Sequence, residues 1–140
     1  MALEFAPREH EGITILDIKG SLRFGHEDSD LRTELEKLCR AGVTQLVLNL
    51  KHVEHIDTTG LGTLLFALAK LQKAGGRLVL LNLNPAHVDL VVAAKLDSIF
   101  ETYKEELDAI NSFFPDRKIP HFDILDFVRH TEESEEKKRA

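Results

Sequence analysis

Between Gln45 and Leu83 the chain runs Gln45-Leu46-Val47-Leu48-Asn49-Leu50, then His55-Ile56-Asp57-Thr58-Thr59-Gly60-Leu61-Gly62, then a leucine-spaced segment to Leu71, then Gly75-Gly76-Arg77-Leu78-Val79-Leu80. The first run, rich in Leu and Val, suits a strand buried on both faces. Leu61, Leu64, Leu65, Leu68 and Leu71 return at helical spacing and predict a core-facing helix that ends at Gly75-Gly76. Arg77 to Leu83 is a second candidate for a buried strand. Strand, helix and strand make a βαβ unit, whose crossover is nearly always right-handed.

Working outward, Leu3 to Glu9 and Ile13 to Lys19 flank Glu11-Gly12 and read as a β-hairpin. Ile13 and Ile15 share one face of its second strand while Leu16 and Ile18 share the other, so this strand too is expected to be covered on both sides. Gly20-Ser21-Leu22 is expected to leave the sheet. Glu27-Asp28-Ser29-Asp30 offers capping groups for a helix whose apolar face is Leu31, Leu35, Leu38 and Cys39, with Gly42 at the C-cap position. Downstream, Pro85 fits a first helical turn, and Val88, Val91, Val92 and Leu96 form its stripe. Ile99 to Lys104 predicts a last short strand. Glu105 to Phe114 predicts a last helix, stopped by Pro115. The order ββαβαβαβα gives an α/β fold, a mixed sheet of about five strands packed with about four helices.

Composition bounds the rest. The 140 residues are 43% hydrophobic, enough for one domain with a core. That domain is expected over residues 1–114. Residues 115–130, with the apolar run Phe122 to Val128, are expected to form a docked extension, and residues 131–140 a charged disordered tail. Eighteen Lys plus Arg against 24 Asp plus Glu leave a formal charge of 18 − 24 = −6, which argues against nucleic acid or an anionic membrane as the main partner. No segment reaches the ~20 apolar residues of a membrane helix. One cysteine, Cys39, excludes an intrachain disulfide and fits a reducing cytosol. A cytoplasmic protein is the expectation.

The chemistry sits where the strand hands over to the helix. Backbone N–H groups at a helix start lack intrahelical partners and favour an anion, so a hydroxyl there is placed either to carry a phosphate or to cap the helix. On residue types alone, Asp57 or Thr58 as an ordinary N-cap is the simpler reading.

Strand, Asp57-Thr58-Thr59-Gly60-Leu61-Gly62, apolar helix and Gly75-Gly76-Arg77-Leu78-Val79-Leu80, preceded by Gly20-Ser21-Leu22 and Leu46 to Leu50, resembles the STAS family of anti-sigma factor antagonists over roughly residues 3 to 112. The resemblance implies a STAS-like fold and a phosphorylation switch. An anti-sigma factor that is also a serine/threonine kinase would bind around Thr58, through Asp57, Thr59, Gly60 and Gly62. It would phosphorylate Thr58, the hydroxyl directly after the aspartate, and a metal-dependent serine/threonine phosphatase would reset it. This chain has Thr58 where many antagonists have serine, and Arg23 where an acidic residue commonly follows Gly-x-Leu. It also carries an extra segment after Pro115.

Phe66 stands out independently. A turn of roughly 100° per residue puts it opposite the core leucines with Gly62, Lys70 and Lys73, either as a partner anchor or covered by the Phe122 to Val128 segment. His52, His55 and Asp57 lack further ligands of metal spacing. Gly60-x-Gly62 is not a dinucleotide fingerprint, and no Ser/His/Asp arrangement emerges. The expectation is a binding module without catalytic residues, metal or cofactor. The competing readings are a STAS scaffold or transporter-associated subunit never modified at Thr58, and a small enzyme.

Overall fold

The computed structural model describes the backbone of residues 3–23 and 26–117, and the side chains of these apart from residues 26–28. Five strands form one sheet in the order β1-β2-β3-β4-β5: β1 Glu4–His10, β2 Ile13–Leu22, β3 Gln45–Ile56, β4 Arg77–Leu81 and β5 Glu101–Tyr103. β1 and β2 are antiparallel, and every later pair is parallel. The helices are α1 His26–Arg40, α2 Thr58–Lys73, α3 Pro85–Ala93 and α4 Glu106–Asn111. This is the expected element order and mixed sheet.

A sheet that adds its parallel strands in chain order, each through a right-handed crossover, puts the crossover helices on one face. Leu31 and Leu35 of α1, Leu64, Leu68 and Leu71 of α2, and Val88 and Val91 of α3 are buried with Leu16, Ile18, Leu48 and Leu80 of the sheet. The opposite face belongs to α4, where Ala109 and Ile110 cover Ile13, Ile15, Val47, Val79 and Leu81. The alternation along β2 therefore does divide its side chains between two cores. Each fully buried Leu or Ile here stabilises the fold by roughly 1.5–3 kcal/mol relative to an exposed one.

Several boundaries differ from the sequence expectation. Gly20-Ser21-Leu22 does not leave the sheet; β2 continues through Leu22, paired with Ile56. β3 runs six residues beyond Leu50, to Ile56. It does so with two irregularities: from Asp17 to Lys19 β2 advances two residues while β3 advances from Asn49 to His52, and the same happens between Gly20/Val53 and Leu22/Ile56. Each extra residue shifts the alternation by one position, so that Val53 returns to the core after Leu50. α1 begins at His26, so Glu27 to Asp30 lie within its first turns rather than ahead of it. β5 and α4 are shorter than expected. Leu65 is 37% exposed, not a core residue. The Phe122 to Val128 run and the tail 131–140 lie outside the described residues.

Gly76 explains how β4 enters beside β3. Its N–H donates to the Leu71 carbonyl at 2.7 Å, and the Arg77 N–H donates to the Thr44 carbonyl at 2.8 Å. A Cβ on residue 76 would stand 1.9 Å from that same Thr44 oxygen, so only glycine permits the approach.

Candidate functional site

The carboxyl ends of β2 and β3 deliver the chain to the start of α2. The Asp57 N–H donates to the Leu22 carbonyl at 3.2 Å, which ties the first residue after β3 to the last residue of β2. Asp57 is extended, and its side-chain Oδ1 accepts the Gly60 N–H at 2.8 Å while its carbonyl accepts the Leu61 N–H at 2.9 Å. This is an N-cap, which satisfies one of the four orphan donors of the helix start and is worth about 0.5–2 kcal/mol.

Capping by Asp57 decides the position of Thr58. It is the first residue of α2 and exposed, in the region where the helix dipole favours negative charge. Thr59 is half-buried, and its carbonyl accepts the hydroxyl of the buried Thr63 at 3.3 Å. Gly60 is buried: a Cβ there would lie 2.2 Å from the Leu22 carbonyl oxygen. Its bare Cα is needed inward, to let α2 pack under the end of β2. Gly62 is exposed with open space at its Cβ position.

From Thr58, one side of α2 carries exposed Gly62, Leu65 and Ala69 at i+4, i+7 and i+11. Phe66 lies beside this stripe. It is half-buried, with the Arg32 guanidinium of α1 4.5 Å from the ring centroid and the Lys70 ammonium at 5.7 Å. Arg32 is a neighbour that spacing along α2 could not reveal, because it comes from another helix.

His52 and His55 are exposed, and the Asp57 carboxylate is engaged at the helix start. Among the described residues no three His, Cys, Asp or Glu side chains are grouped to hold a metal ion, and no helix is long and apolar enough to cross a membrane. His87, buried behind the same end of the sheet, completes a capping box at α3: the Asn84 carboxamide oxygen accepts its N–H at 2.8 Å, and its Nδ1 accepts the Asn84 N–H at 3.4 Å. Burial pushes its imidazole below the usual histidine range, opposed by the Glu54 backbone carbonyl and reinforced by His55.

The fold has known counterparts. An anti-sigma F factor antagonist from Paenibacillus polymyxa is 29% identical over 112 residues, covering 79% of this chain and 94% of that protein. The anti-sigma factor antagonist from Mycobacterium paratuberculosis superposes with a TM-score of 0.70 at 22% identity, covering 79% of this chain and 92% of that one. The anti-sigma factor antagonist SpoIIAA, solved unphosphorylated and phosphorylated, superposes with TM-scores of 0.62 and 0.61 at 20% and 21% identity, covering 80% and 79% of this chain and 99% of its own in both forms. These superpositions carry the fold. The STAS domain model matches residues 4–109, more than half of the sequence and every strand and helix start described above: the chain belongs to the STAS domain family.

Proposed function

We propose that this chain is an anti-sigma factor antagonist, a cytoplasmic protein-binding module without catalysis of its own. In its unphosphorylated form it sequesters an anti-sigma factor that is also a serine/threonine kinase. Phosphorylation of Thr58 releases it, and a metal-dependent serine/threonine phosphatase restores it. The observation that carries this reading is that Asp57, not Thr58, caps α2, which leaves the Thr58 side chain exposed at a positively polarised helix start.

The physics of release follows from that placement. Phosphorylation adds about −1.5 to −2 charges and three acceptor oxygens. Beneath a docked protein, beside the Asp57 carboxylate, that charge is either paired or desolvated alone. Turning a 99:1 bound population into 1:99 takes about 5.5 kcal/mol, and an uncompensated buried charge costs about 3–5 kcal/mol, so one phosphate supplies most of the change. The fold is unaffected, because the helix start helps stabilise the anion. The exposed Gly62, Leu65 and Ala69 extend the landing surface along α2 from Thr58.

The test is capture from the native cell followed by phosphoryl transfer. The tagged chain retains an anti-sigma factor with kinase activity, and incubation of the pair with ATP adds one phosphoryl group, located at Thr58 by fragmentation, and dissociates them. If the captured kinase leaves Thr58 unmodified, the chain is a constitutive STAS scaffold instead.

A further inference from the structure

We propose that the cleft between the carboxyl ends of β2 and β3 and the start of α3 is a docking site for an acidic segment of the protein that binds at Thr58. This rests on the antagonist reading above and adds the chemistry of the partner. The cleft has a volume of about 630 Å³. Lys19 and Arg23 stand on one wall and Lys51, His52 and His55 on the other, against two carboxylates, Glu4 and Glu54.

In a chain of net charge −6 this is a departure from the average surface. Four arginines elsewhere are paired within the molecule: Arg8 with Asp17 and Glu106, Arg40 with Glu36, Arg77 with Glu101 and Arg117 with Glu11. Among the described residues Lys19, Arg23 and Lys51 enter no ion pair. Three cations against Glu4, which faces Lys19 across β1 and β2, and Glu54 leave the lining formally positive by 3 − 2 = +1 in a chain of net charge −6, and the walls of the concavity focus that field.

Position links the cleft to the switch. Leu22 and Ile56 are paired at the ends of β2 and β3, and the Asp57 N–H is bonded to the Leu22 carbonyl. Arg23 and Thr58 therefore leave adjacent strand ends, one at the rim of the cleft and one at the start of α2. A partner that covers Thr58 and reaches past Arg23 sets its own carboxylates among Lys19, Arg23 and Lys51. A phosphate on Thr58 then repels those carboxylates and competes with them for Arg23. Complementary charge of this kind acts mainly on the association rate and on partner choice.

The experiment uses the full chain and the double variant Arg23→Glu, Lys51→Glu, with the double variant Lys37→Glu, Lys73→Glu, in the last turns of α1 and α2, as the charge-matched control. Against the captured kinase, the double variant is expected to associate at least about tenfold more slowly at low salt, with a flattened salt dependence, while the control binds as the parent chain does. Equal binding by the double variant overturns the proposal. If the parent chain captures no kinase, the antagonist reading fails, and the cleft is judged separately with a decaglutamate peptide as probe. Amide shifts confined to Lys19, Arg23, Lys51 and His52, absent in the double variant, support it; shifts scattered over the remaining lysines overturn it. Unchanged thermal unfolding of each variant shows that the fold is kept.

Discussion

The carbonyl oxygen of Leu22 stands 2.2 Å from the point where a side chain on residue 60 would begin. Because the same oxygen accepts the Asp57 N–H, it cannot retreat without loosening the turn that positions Thr58. Gly60→Ala is therefore expected to destabilise the fold by about 1–3 kcal/mol through overpacking, read by urea unfolding. Gly62→Ala, on the same helix but facing open space, is expected to stabilise by about 0.5–1 kcal/mol from helix propensity alone. Equal effects at both positions would show that propensity rather than the Leu22 contact governs Gly60.

Thr58 and Asp57 divide two tasks that the sequence leaves together. Asp57→Ala removes the acceptor for the Gly60 N–H and is expected to lower stability by about 0.5–2 kcal/mol. Thr58→Ala touches no cap and is expected to stay within about 0.5 kcal/mol of the parent while binding the kinase irrespective of ATP. A large stability loss in Thr58→Ala, measured beside Asp57→Ala, would return Thr58 to a structural role.

How much of this was legible in the sequence depends on whether an element is held by its own pattern or by a neighbour. The βαβ unit follows from Leu46 to Leu50, the leucine spacing of α2 and Leu78 to Leu80, and the division of β2 between two cores from the alternation of Ile13, Ile15, Leu16 and Ile18, all of them local patterns. The second half of β3 was hidden because two bulges break the period of two and Lys51, His52, Glu54 and His55 give it a loop-like composition. Leu65 has helical spacing yet lies outside the core, because the packed stripe of α2 is narrower than its leucine content. In the site, Asp57 and Thr58 were legible from the Asp-Thr-Thr-Gly pattern; the choice between them as the cap was not, because it turns on a 2.8 Å contact. The inward demand on Gly60 and the Arg32 contact with Phe66 come from other elements and leave no local signal.

His87 predicts an acid-side loss of stability. The buried ring is held neutral, below the usual histidine range, whereas the unfolded residue titrates near about 6.5. As pH falls below that value the unfolded chain takes up a proton that the folded chain refuses, so stability decreases, by at most roughly 1.4 kcal/mol per pH unit from this group. The loss continues until the folded pKa is reached. Protonation also removes the Nδ1 acceptor of the Asn84 N–H. Denaturant midpoints from pH 7 to 5 are expected to fall for the parent chain and to stay flatter for His87→Gln.

Arg8 joins the hairpin to α4. Its guanidinium donates to Asp17 at 2.7 and 3.1 Å and to Glu106 at 3.0 Å, and Asp17 accepts the Asn49 amide at 2.7 Å. Arg8 holds both carboxyls below their ordinary range. The stability they supply is present above that range and lost as pH falls through the lowered values. These groups are partly exposed, so Arg8→Met is expected to cost only about 0.2–1 kcal/mol per pair. The sensitive readout is local: amide exchange at Ala109 and Ile110 of α4 is expected to quicken more than exchange at Leu64 of α2.

Phe66 separates a packing role from a binding role. Its ring is half-buried against Arg32 at 4.5 Å and Lys70 at 5.7 Å, so part of what a sequence reading assigns to a partner is already occupied within the molecule. A guanidinium at that distance over an aromatic face contributes about 0.5–1 kcal/mol where solvent reaches it. Phe66→Ala and Arg32→Ala are each expected to destabilise, and the double variant to do so by less than their sum, with a coupling of about that size. The cycle isolates the α1–α2 contact, because Lys70 is unchanged in all four proteins. Additive losses would mean that Arg32 and Phe66 stabilise separate parts of the fold, and would leave the exposed part of the ring as a surface for the kinase.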